Sequence, residues 1–318
     1  MFIELPMNIS PQRRLESLQS HLSQFLMGKH QEIRLALMCI LARGHLLIED
    51  VPGVGKTTLA EGLASCFQLG FSRIQFTSDL LPSDIIGAQI YRTAEGVFEF
   101  RKGPIFNQVV LADELNRAPP RTQSALLEAM AQKQISVDGK TYLLSEPFVV
   151  VATQNPTEFA GTYPLPDSQL DRFLMCMPLG HLSQEDEIRL ILEKKPDLRA
   201  AKPIATQAEL EELQAACETI RIHPDVARFA VQLGNSSRKH RSLERGISTR
   251  AMLSLIAAAK ANALWEGRDF LVPNDLRAVF LPTLAHRVVA SQNESMAVSR
   301  KMAQTALQEI LDSTPNPR

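Results

Sequence analysis

The stretch LLIEDVPGVGKTTLA, at residues 46–60, constrains the fold of this chain more than any other part of the sequence. Its apolar start is typical of a buried β-strand, and its glycine-rich middle is typical of a turn that leads into a helix. In such a turn, free backbone N–H groups and the positive end of the helix converge on a hole of phosphate size. Lys56 adds a positive charge there, and the Thr57 hydroxyl can bind Mg²⁺. The stretch therefore predicts a loop that binds phosphate groups.

One position departs from the usual G-x-x-x-x-G-K-T pattern of such a loop, because Asp50 stands where the first glycine is expected. Gly53 and Gly55 are present at the positions where the backbone must approach phosphate closely. An acid at position 50 should repel a triphosphate unless it points away or is paired. The alternative interpretation is a glycine-rich turn with a surface lysine. If the stretch is a phosphate-binding loop, the predicted phosphate-binding residues are Pro52, Gly53, Val54, Gly55, Lys56, Thr57 and Thr58.

The stretch VVLADELNRAPPRTQSALLEAM, at residues 109–130, places two acids at the end of an apolar run. The run predicts a buried strand that exposes Asp113 and Glu114 at its carboxyl end, where ligands bind in open α/β sheets. We expect Asp113 to hold Mg²⁺ through water, and Glu114 to orient and polarise an attacking water. The alternative is that both acids only stabilise the start of the next helix. In this order, the two stretches together predict an enzyme that binds and cleaves a nucleoside triphosphate.

Length and composition favour a cytoplasmic protein of two domains. The 318 residues correspond to two domains of about 150 residues each. The formal net charge of -1 gives no basic excess for nucleic acid, and the basic run at residues 238–241 is interpreted as a solvated loop. No apolar run approaches the roughly 20 residues that a membrane span needs. The cysteines have no paired spacing, which predicts reduced thiols in the cytoplasm: Cys39, Cys66, Cys176 and Cys217.

Short apolar runs alternate with helical segments in the first part of the chain, which predicts an α/β fold with a doubly wound parallel sheet of five strands. The first strand leads into the phosphate loop, and the others are predicted at residues 74–77, 109–112, 148–153 and 173–177. Two β-hairpin insertions are also predicted. One lies at residues 88–101, and the other turns at Asp138-Gly139, a pair that suits a tight hairpin turn.

After about residue 180 the strand signal stops, and the sequence predicts helices at residues 207–219, 224–233, 249–265 and 274–289. Gly234 is expected to end the second of these helices, and Pro282 to kink or split the last. We therefore predict an α/β nucleotide-binding domain with an N-terminal helix at residues 1–180, followed by a small all-helical domain at residues 181–318.

The two stretches ADELNRAPPRTQSALLEAM and LLIEDVPGVGKT resemble the MoxR family of AAA+ ATPases. The resemblance continues through TSDLLPSDIIG at residues 77–87, VVATQNPTEFAGTYPLPDSQLDRF at residues 150–173 and GISTRA at residues 246–251. It spans about residues 28–287. It implies an AAA+ P-loop core with two hairpin insertions, a helical lid domain, and ATP and Mg²⁺ as cofactors.

The resemblance also implies roles for two residues of the core. Asn155 matches the first sensor, a polar side chain that helps to position the hydrolytic water. From the residues alone, an Asx turn made by Asn155-Pro156 is an equal alternative. Arg172 matches the arginine finger, which a neighbouring subunit inserts toward the γ-phosphate. Its alternative is an ion pair with Asp171 or another acid.

The resemblance also gives roles to Arg250 and Gly28. Arg250 matches the second sensor, which reaches the nucleotide from the lid, although the sequence alone favours a surface arginine in the first turn of a helix. Gly28 separates a predicted helix that starts at Ser10-Pro11 from a second predicted helix that ends near Gly44. It matches the position where the family's chain passes over the adenine, although it also fits an ordinary loop.

The resemblance implies a chaperone-like motor that hydrolyses ATP to remodel or activate partner proteins. The family implies a homo-hexameric ring, partners that often carry a von Willebrand factor A domain, and roles in metal-site maturation. One alternative is the motor subunit of a chelatase, although the run NRAPPRTQSALLEAM favours the MoxR interpretation. Another is a nucleotide-switched DNA-binding module, for which the roughly 30 residues after Arg287 are too few. Lys56, Glu114 and Arg172 argue against an inactive scaffold.

Overall fold

The computed structural model describes residues 10–155, 161–193, 196–291 and 296–317. The part of the chain up to residue 177 contains, in order, α1 (Pro11–Ser23), α2 (His30–Leu41), β1 (Leu46–Glu49), α3 (Lys56–Cys66), β2 (Phe71–Gln75), α4 (Pro82–Ile86), β3 (Gly87–Arg92), β4 (Val97–Lys102), β5 (Val109–Asp113), α5 (Pro120–Gln132), β6 (Gln134–Val137), β7 (Lys140–Leu143), β8 (Val149–Gln154), α6 (Asp167–Leu170) and β9 (Met175–Met177). The rest of the chain contains α7 (Gln184–Leu192), α8 (Gln207–Glu218), α9 (Pro224–Arg238), β10 (Leu243–Arg245), α10 (Thr249–Trp265), α11 (Pro273–Leu284), β11 (Val289–Ala290) and α12 (Met296–Ser313).

Five parallel strands form the central sheet, in the order β2-β5-β8-β1-β9. Because the strands run in one direction, their carboxyl ends meet at one edge of the sheet. The register pairs Gln75 with Asp113 and Glu49 with Gln154 at that edge. The predicted five-stranded sheet is confirmed, and its register brings residues that are distant in sequence to one place.

Helices cover both faces of this sheet. In β1, Leu46 and Ile48 pack into an apolar cluster with α1, α2 and α3, whereas Leu47 packs into a second cluster with α5. Successive residues of a strand point to opposite faces, so a strand that is apolar at every position must be covered on both sides. The burial of all three residues explains the continuous apolar runs in the sequence.

The two predicted hairpin insertions are also confirmed. Strands β3 and β4 pair with each other, as do β6 and β7, and each pair forms its own two-stranded antiparallel sheet. At the second turn, Asp138 and Gly139 have φ angles of 49° and 76°. Two consecutive positive φ angles define the tight turn that the Asp-Gly pair favours.

The C-terminal part is mainly helical, but three details differ from the sequence prediction. Helix α9 continues through Gly234 and ends at Arg238. A Cβ atom at position 234 would lie 2.9 Å from Cε of Met252, so the glycine permits close packing of α10. Helix α11 is not split at Pro282 and ends at Leu284. A short antiparallel pair, β10 with β11, and helix α12 had no predicted counterpart. Within the described residues, no helix has the length and apolar character to cross a membrane.

Candidate nucleotide site

The phosphate loop joins the end of β1 to the start of α3. Gly53 and Gly55 have φ angles of 89° and 101°, which L side chains rarely adopt. Gly55 occupies the N-cap position of α3 and has no side chain with which to cap the helix. The first-turn N–H groups of an uncapped helix are open to an anion. The loop therefore has the backbone conformation that a phosphate cradle requires.

Lys56 begins α3, and its side chain turns back to the loop. Its Nζ donates a hydrogen bond of 2.6 Å to the carbonyl oxygen of Asp50. Burial lowers the pKa of Lys56, and the charges of Asp113, Asp50 and Glu114 oppose this effect. The ammonium group is therefore bound to the phosphate loop and lies within the field of the two acids at the end of β5.

The carboxylate of Asp50 is paired with backbone amides. Oδ2 accepts hydrogen bonds from the N–H groups of Leu179 at 2.8 Å and Gly180 at 2.5 Å, and Oδ1 accepts one from Val51 at 2.7 Å. The condition under which an acid is tolerated beside a triphosphate is thus met, because N–H donors compensate its charge.

The two predicted acids at the end of β5 are fixed by a threonine of the neighbouring strand. The Thr153 hydroxyl donates to Oδ1 of Asp113 at 2.7 Å and accepts from the N–H of Glu114 at 2.9 Å. Arg73, on the other side, donates to Oδ2 of Asp113 at 2.6 Å. Glu114 has a φ angle of 57°, a left-handed conformation that is uncommon for residues other than glycine and is enriched at functional sites.

The side chain of Glu114 contacts two residues that the sequence analysis did not single out. Gln75 Nε2 donates to Oε2 of Glu114 at 2.7 Å, and Arg117 Nε lies 3.1 Å from the same oxygen. The carboxylate makes no cap hydrogen bond to the short 3-10 helix that follows it. Glu114 is the N-cap residue of that helix, but its carboxylate is directed to Gln75 and Arg117 instead. No sequence motif marks Gln75, which reaches Glu114 because β2 and β5 pair in register.

Asn155 directly follows β8 at the same edge of the sheet and is partly buried. The proposed turn with Pro156 falls on residues 156–160, outside the described residues. The strand end before it is cross-linked, since Gln154 Nε2 donates to Oε1 of Glu49 at 2.6 Å. Arg300 of α12 donates to the same Glu49 oxygen at 2.7 Å. A side chain from the last helix thus helps to fix the end of β1 and β8.

Arg172 and Arg250 have different partners, although Arg172 directly follows Asp171, the acid that Arg250 contacts. Arg172 donates to the carbonyl oxygen of Leu127 on α5. The partners of Asp171 are Arg287, at 3.1 Å, and Arg250, at 3.5 Å. The alternative in which Asp171 pairs with Arg172 is therefore wrong.

The two arginines that hold Asp171 differ in burial. The side chain of Arg287 is 2% exposed, that of Arg250 is 64% exposed, and Arg287 also donates to the carbonyl oxygen of Phe173 at 2.6 Å. Burial lowers the pKa of Arg287 to about 10, against the opposing charge of Asp171. Arg287 therefore joins the helical part of the chain to the segment that carries Arg172.

A cleft of about 240 Å³ lies between the phosphate loop and the segment before α7. Gly28 adjoins it with a φ angle of 69°, and a Cβ atom there would lie 2.3 Å from Oδ2 of Asp186. The neighbouring Lys29 is buried, lines the cleft and donates to the carbonyl oxygen of His181 at 2.7 Å. The residues that line this cleft include Met27, Lys29, Gly53, Gly55, Gly180 and His181.

Comparisons with known proteins identify the family. The model of the ATPase family associated with various cellular activities (AAA) matches residues 45–175, and that of the AAA lid domain matches residues 235–310. The chain is 39% identical to chaperone MoxR1 of Mycobacterium tuberculosis, over 86% of this chain and 75% of the relative. It is 31% identical to protein MoxR of Paracoccus denitrificans, over 87% and 89%.

This chain belongs to the MoxR family of AAA+ ATPases. The uncharacterised protein YeaC of Bacillus subtilis is 42% identical over 85% of both chains. The structure of a candidate ATPase from Cytophaga hutchinsonii superimposes with a TM-score of 0.85 at 35% identity, covering 97% of this chain and 96% of the other. MoxR membership confirms the predicted AAA+ core and helical lid, and it places the chain in a class of nucleotide-binding ATPases and chaperones.

The different burial of the two arginines around Asp171 gives a test of their contributions to stability. Asp171→Ala leaves the buried charge of Arg287 without its acid, so we expect the free energy of unfolding to fall by about 3 kcal/mol. Arg250→Ala removes only an exposed partner, and we expect a loss of less than about 1 kcal/mol. Urea unfolding of both variants measures the difference. Equal losses would contradict the stabilising role assigned to the Arg287–Asp171 pair.

Proposed function

We propose that this protein hydrolyses ATP to ADP and phosphate in a Mg²⁺-dependent reaction. The single observation that carries the proposal is the Thr153 hydroxyl, which donates to Asp113 and accepts from the amide of Glu114. The Lys56 ammonium group lies close enough to interact electrostatically with Asp113 and Glu114. A phosphate-binding loop and a fixed pair of acids at one sheet edge are the arrangement that phosphoryl transfer to water needs.

In this proposal, residues 52–58 bind the phosphate groups, and Thr57 and Asp113 hold Mg²⁺. Both supply oxygen ligands, which Mg²⁺ prefers, and Arg73 already occupies one Asp113 oxygen, which favours contact through water. When bound, Mg²⁺ neutralises charge that develops on the phosphates. Glu114 orients the attacking water after exchanging Gln75 and Arg117 for it.

The remaining site residues receive roles from MoxR membership. Asn155 helps to position the water, and Gly28 lies beside the adenine. Arg250 reaches the nucleotide from the lid, and Arg172 reaches the γ-phosphate of a neighbouring subunit. A finger that acts between subunits requires an oligomer, and we propose a homo-hexameric ring. The division into residues 1–180 and 181–318 gives the two parts between which ATP binds.

Comparison of two variants tests the proposed chemistry. Lys56→Ala should abolish ATP binding, because the loop loses its only positively charged side chain. Glu114→Gln should still bind ATP but hydrolyse it at least about 100-fold more slowly, because an amide cannot act as a base. Fluorescence titration and phosphate release measure the two effects. Glu128→Gln changes an exposed acid on α5 and serves as the matched control. Undiminished turnover in Glu114→Gln would refute the role of that residue.

Mixed rings test whether Arg172 acts between subunits. Arg172→Ala should bind ATP but lose about 1,000-fold in turnover, the range seen for arginine fingers. Mixing it with Glu114→Gln should restore part of the activity, since one interface in the mixed ring combines an intact finger with an intact base. Size-exclusion chromatography must show that both variants assemble. Assembled mixtures without any recovery of turnover would exclude a finger that acts between subunits.

For the cellular role, we propose the remodelling or activation of partner proteins in the cytoplasm, including proteins with a von Willebrand factor A domain and proteins whose metal sites are matured. The similarity to chaperone MoxR1 supports this class of role. A chelatase motor is the second candidate from the same machinery, whereas a DNA-binding module has less support because the chain has no basic excess.

A trapped variant can distinguish these partners. Glu114→Gln loaded with ATP should retain its client during affinity purification from the native cell extract, since the bound state cannot be released by hydrolysis. Lys56→Ala is the matched control and should retain none. Mass spectrometry that identifies von Willebrand factor A domain proteins would support the remodelling role, whereas chelatase subunits would support the second candidate and contradict the first.

A further inference from the structure

We propose that Asp50 is a positioning residue that fastens the phosphate loop to the segment leading into the lid. The proposal rests on the proposed function, in which residues 52–58 bind the phosphates of ATP. Asp50 itself need not touch the nucleotide. It acts through its two hydrogen-bonded neighbours, which are the lysine of the loop and the chain at residues 179–180.

The geometry around the carboxylate of Asp50 connects it to a distant segment of the chain. The N–H groups of two successive residues, Leu179 and Gly180, converge on one oxygen of Asp50. Gly180 has a φ angle of 67°, a backbone conformation that helps successive amides to point to the same side. Such pairs of amides bind anions in many proteins. Here the anion is the carboxylate of Asp50. It joins the phosphate loop to Leu179 and Gly180, which lie 129 and 130 residues further along the chain.

The segment that Asp50 holds forms part of the cleft beside the phosphate loop. Residues 179–180 follow β9 and precede α7, at the point where the chain leaves the sheet. Gly180 and His181 line the cleft beside the phosphate loop, and the His181 carbonyl oxygen also accepts a hydrogen bond from Lys29. Asp50 therefore fixes one wall of the cleft relative to the loop that forms its floor.

Asp50 contacts both sides of the cleft, one through its backbone and the other through its side chain. The carbonyl oxygen of Asp50 accepts the hydrogen bond of Lys56, while its carboxylate holds the amides of residues 179–180. A phosphate that draws Lys56 away thus acts on a residue that is already bound to the wall of the cleft. A glycine at position 50, as in the usual loop pattern, would provide the carbonyl but would leave both amides without this acceptor.

The Asp50 charge has two opposing effects on the affinity for ATP, so the direction in which the affinity changes in a neutral variant tests the proposal. Repulsion between the carboxylate and a triphosphate predicts that a neutral residue at position 50 strengthens ATP binding, and more so for ATP than for ADP. Fastening of the cleft wall predicts the reverse, because the wall loses hydrogen bonds to a charged acceptor. We expect fastening to dominate, since three backbone N–H groups already compensate the carboxylate.

Asp50→Asn and Asp50→Gly test this expectation in the full-length protein. In both variants, the dissociation constants of ATP and ADP should rise roughly tenfold, which corresponds to the loss of one hydrogen bond to a charged group. The KM for ATP should rise by a similar factor while kcat changes less, because the lost contact is present equally in the ground state and the transition state. Tighter binding of ATP by Asp50→Gly would overturn the proposal.

Amide hydrogen exchange provides a second measurement that needs neither nucleotide nor turnover. The amides of Leu179 and Gly180 should exchange faster in both variants than in the unmodified protein, and equal rates would overturn the fastening role. Asp84→Asn is the matched control, because that carboxylate accepts the N–H of Leu81 at 2.9 Å in another part of the core. It should leave nucleotide affinity and exchange at residues 179–180 unchanged. If the unmodified protein hydrolyses no ATP, the proposed function fails, but the exchange rates and ADP affinity still decide the role of Asp50.

Discussion

The parallel register of β1, β5 and β8 is the constraint on which the rest of the site depends. It places Glu49, Asp113 and Gln154 at one edge of the sheet, although they are far apart in sequence. Only with this alignment can the Thr153 hydroxyl bond to both Asp113 and the amide of Glu114. A shift by one residue would turn these side chains to the opposite faces, where apolar clusters cover the sheet. The packing of the core and the geometry of the acids therefore have the same cause.

Charge at this edge is compensated by backbone amides at Asp50 and by side chains at Asp113. Asp50 is held by amides, and Asp113 is held by a hydroxyl and by Arg73. Lys56 is correspondingly less hydrated, so burial lowers its pKa while the surrounding carboxylates oppose the change. A triphosphate that enters this site meets donors that are already oriented, and little energy is spent on reorganising them.

The sequence predicts the parts of this structure that depend on neighbouring residues. The phosphate loop, the strand before Asp113 and the Asp-Gly hairpin all follow from local patterns, and comparison with the structure confirms the fold they imply. Contacts between distant segments could not be predicted in this way. Gln75 reaches Glu114 through strand pairing, Arg300 reaches Glu49 from 251 residues away, and Gly234 packs under Met252 when its local pattern indicates a helix end. In each case the deciding partner lies outside the window in which the pattern is read.

The contacts between the lid and the core differ in how easily they can change. Arg287 and Arg300 form largely buried pairs with Asp171 and Glu49, and breaking such a pair leaves an uncompensated charge away from water. Arg250 contacts Asp171 at 3.5 Å with most of its side chain in solvent, so water can replace that contact at little cost. A rearrangement coupled to ATP should therefore release Arg250 first and keep Arg287 and Arg300 in place. In the proposed ring, the second half of the lid would then move with the core of its own subunit.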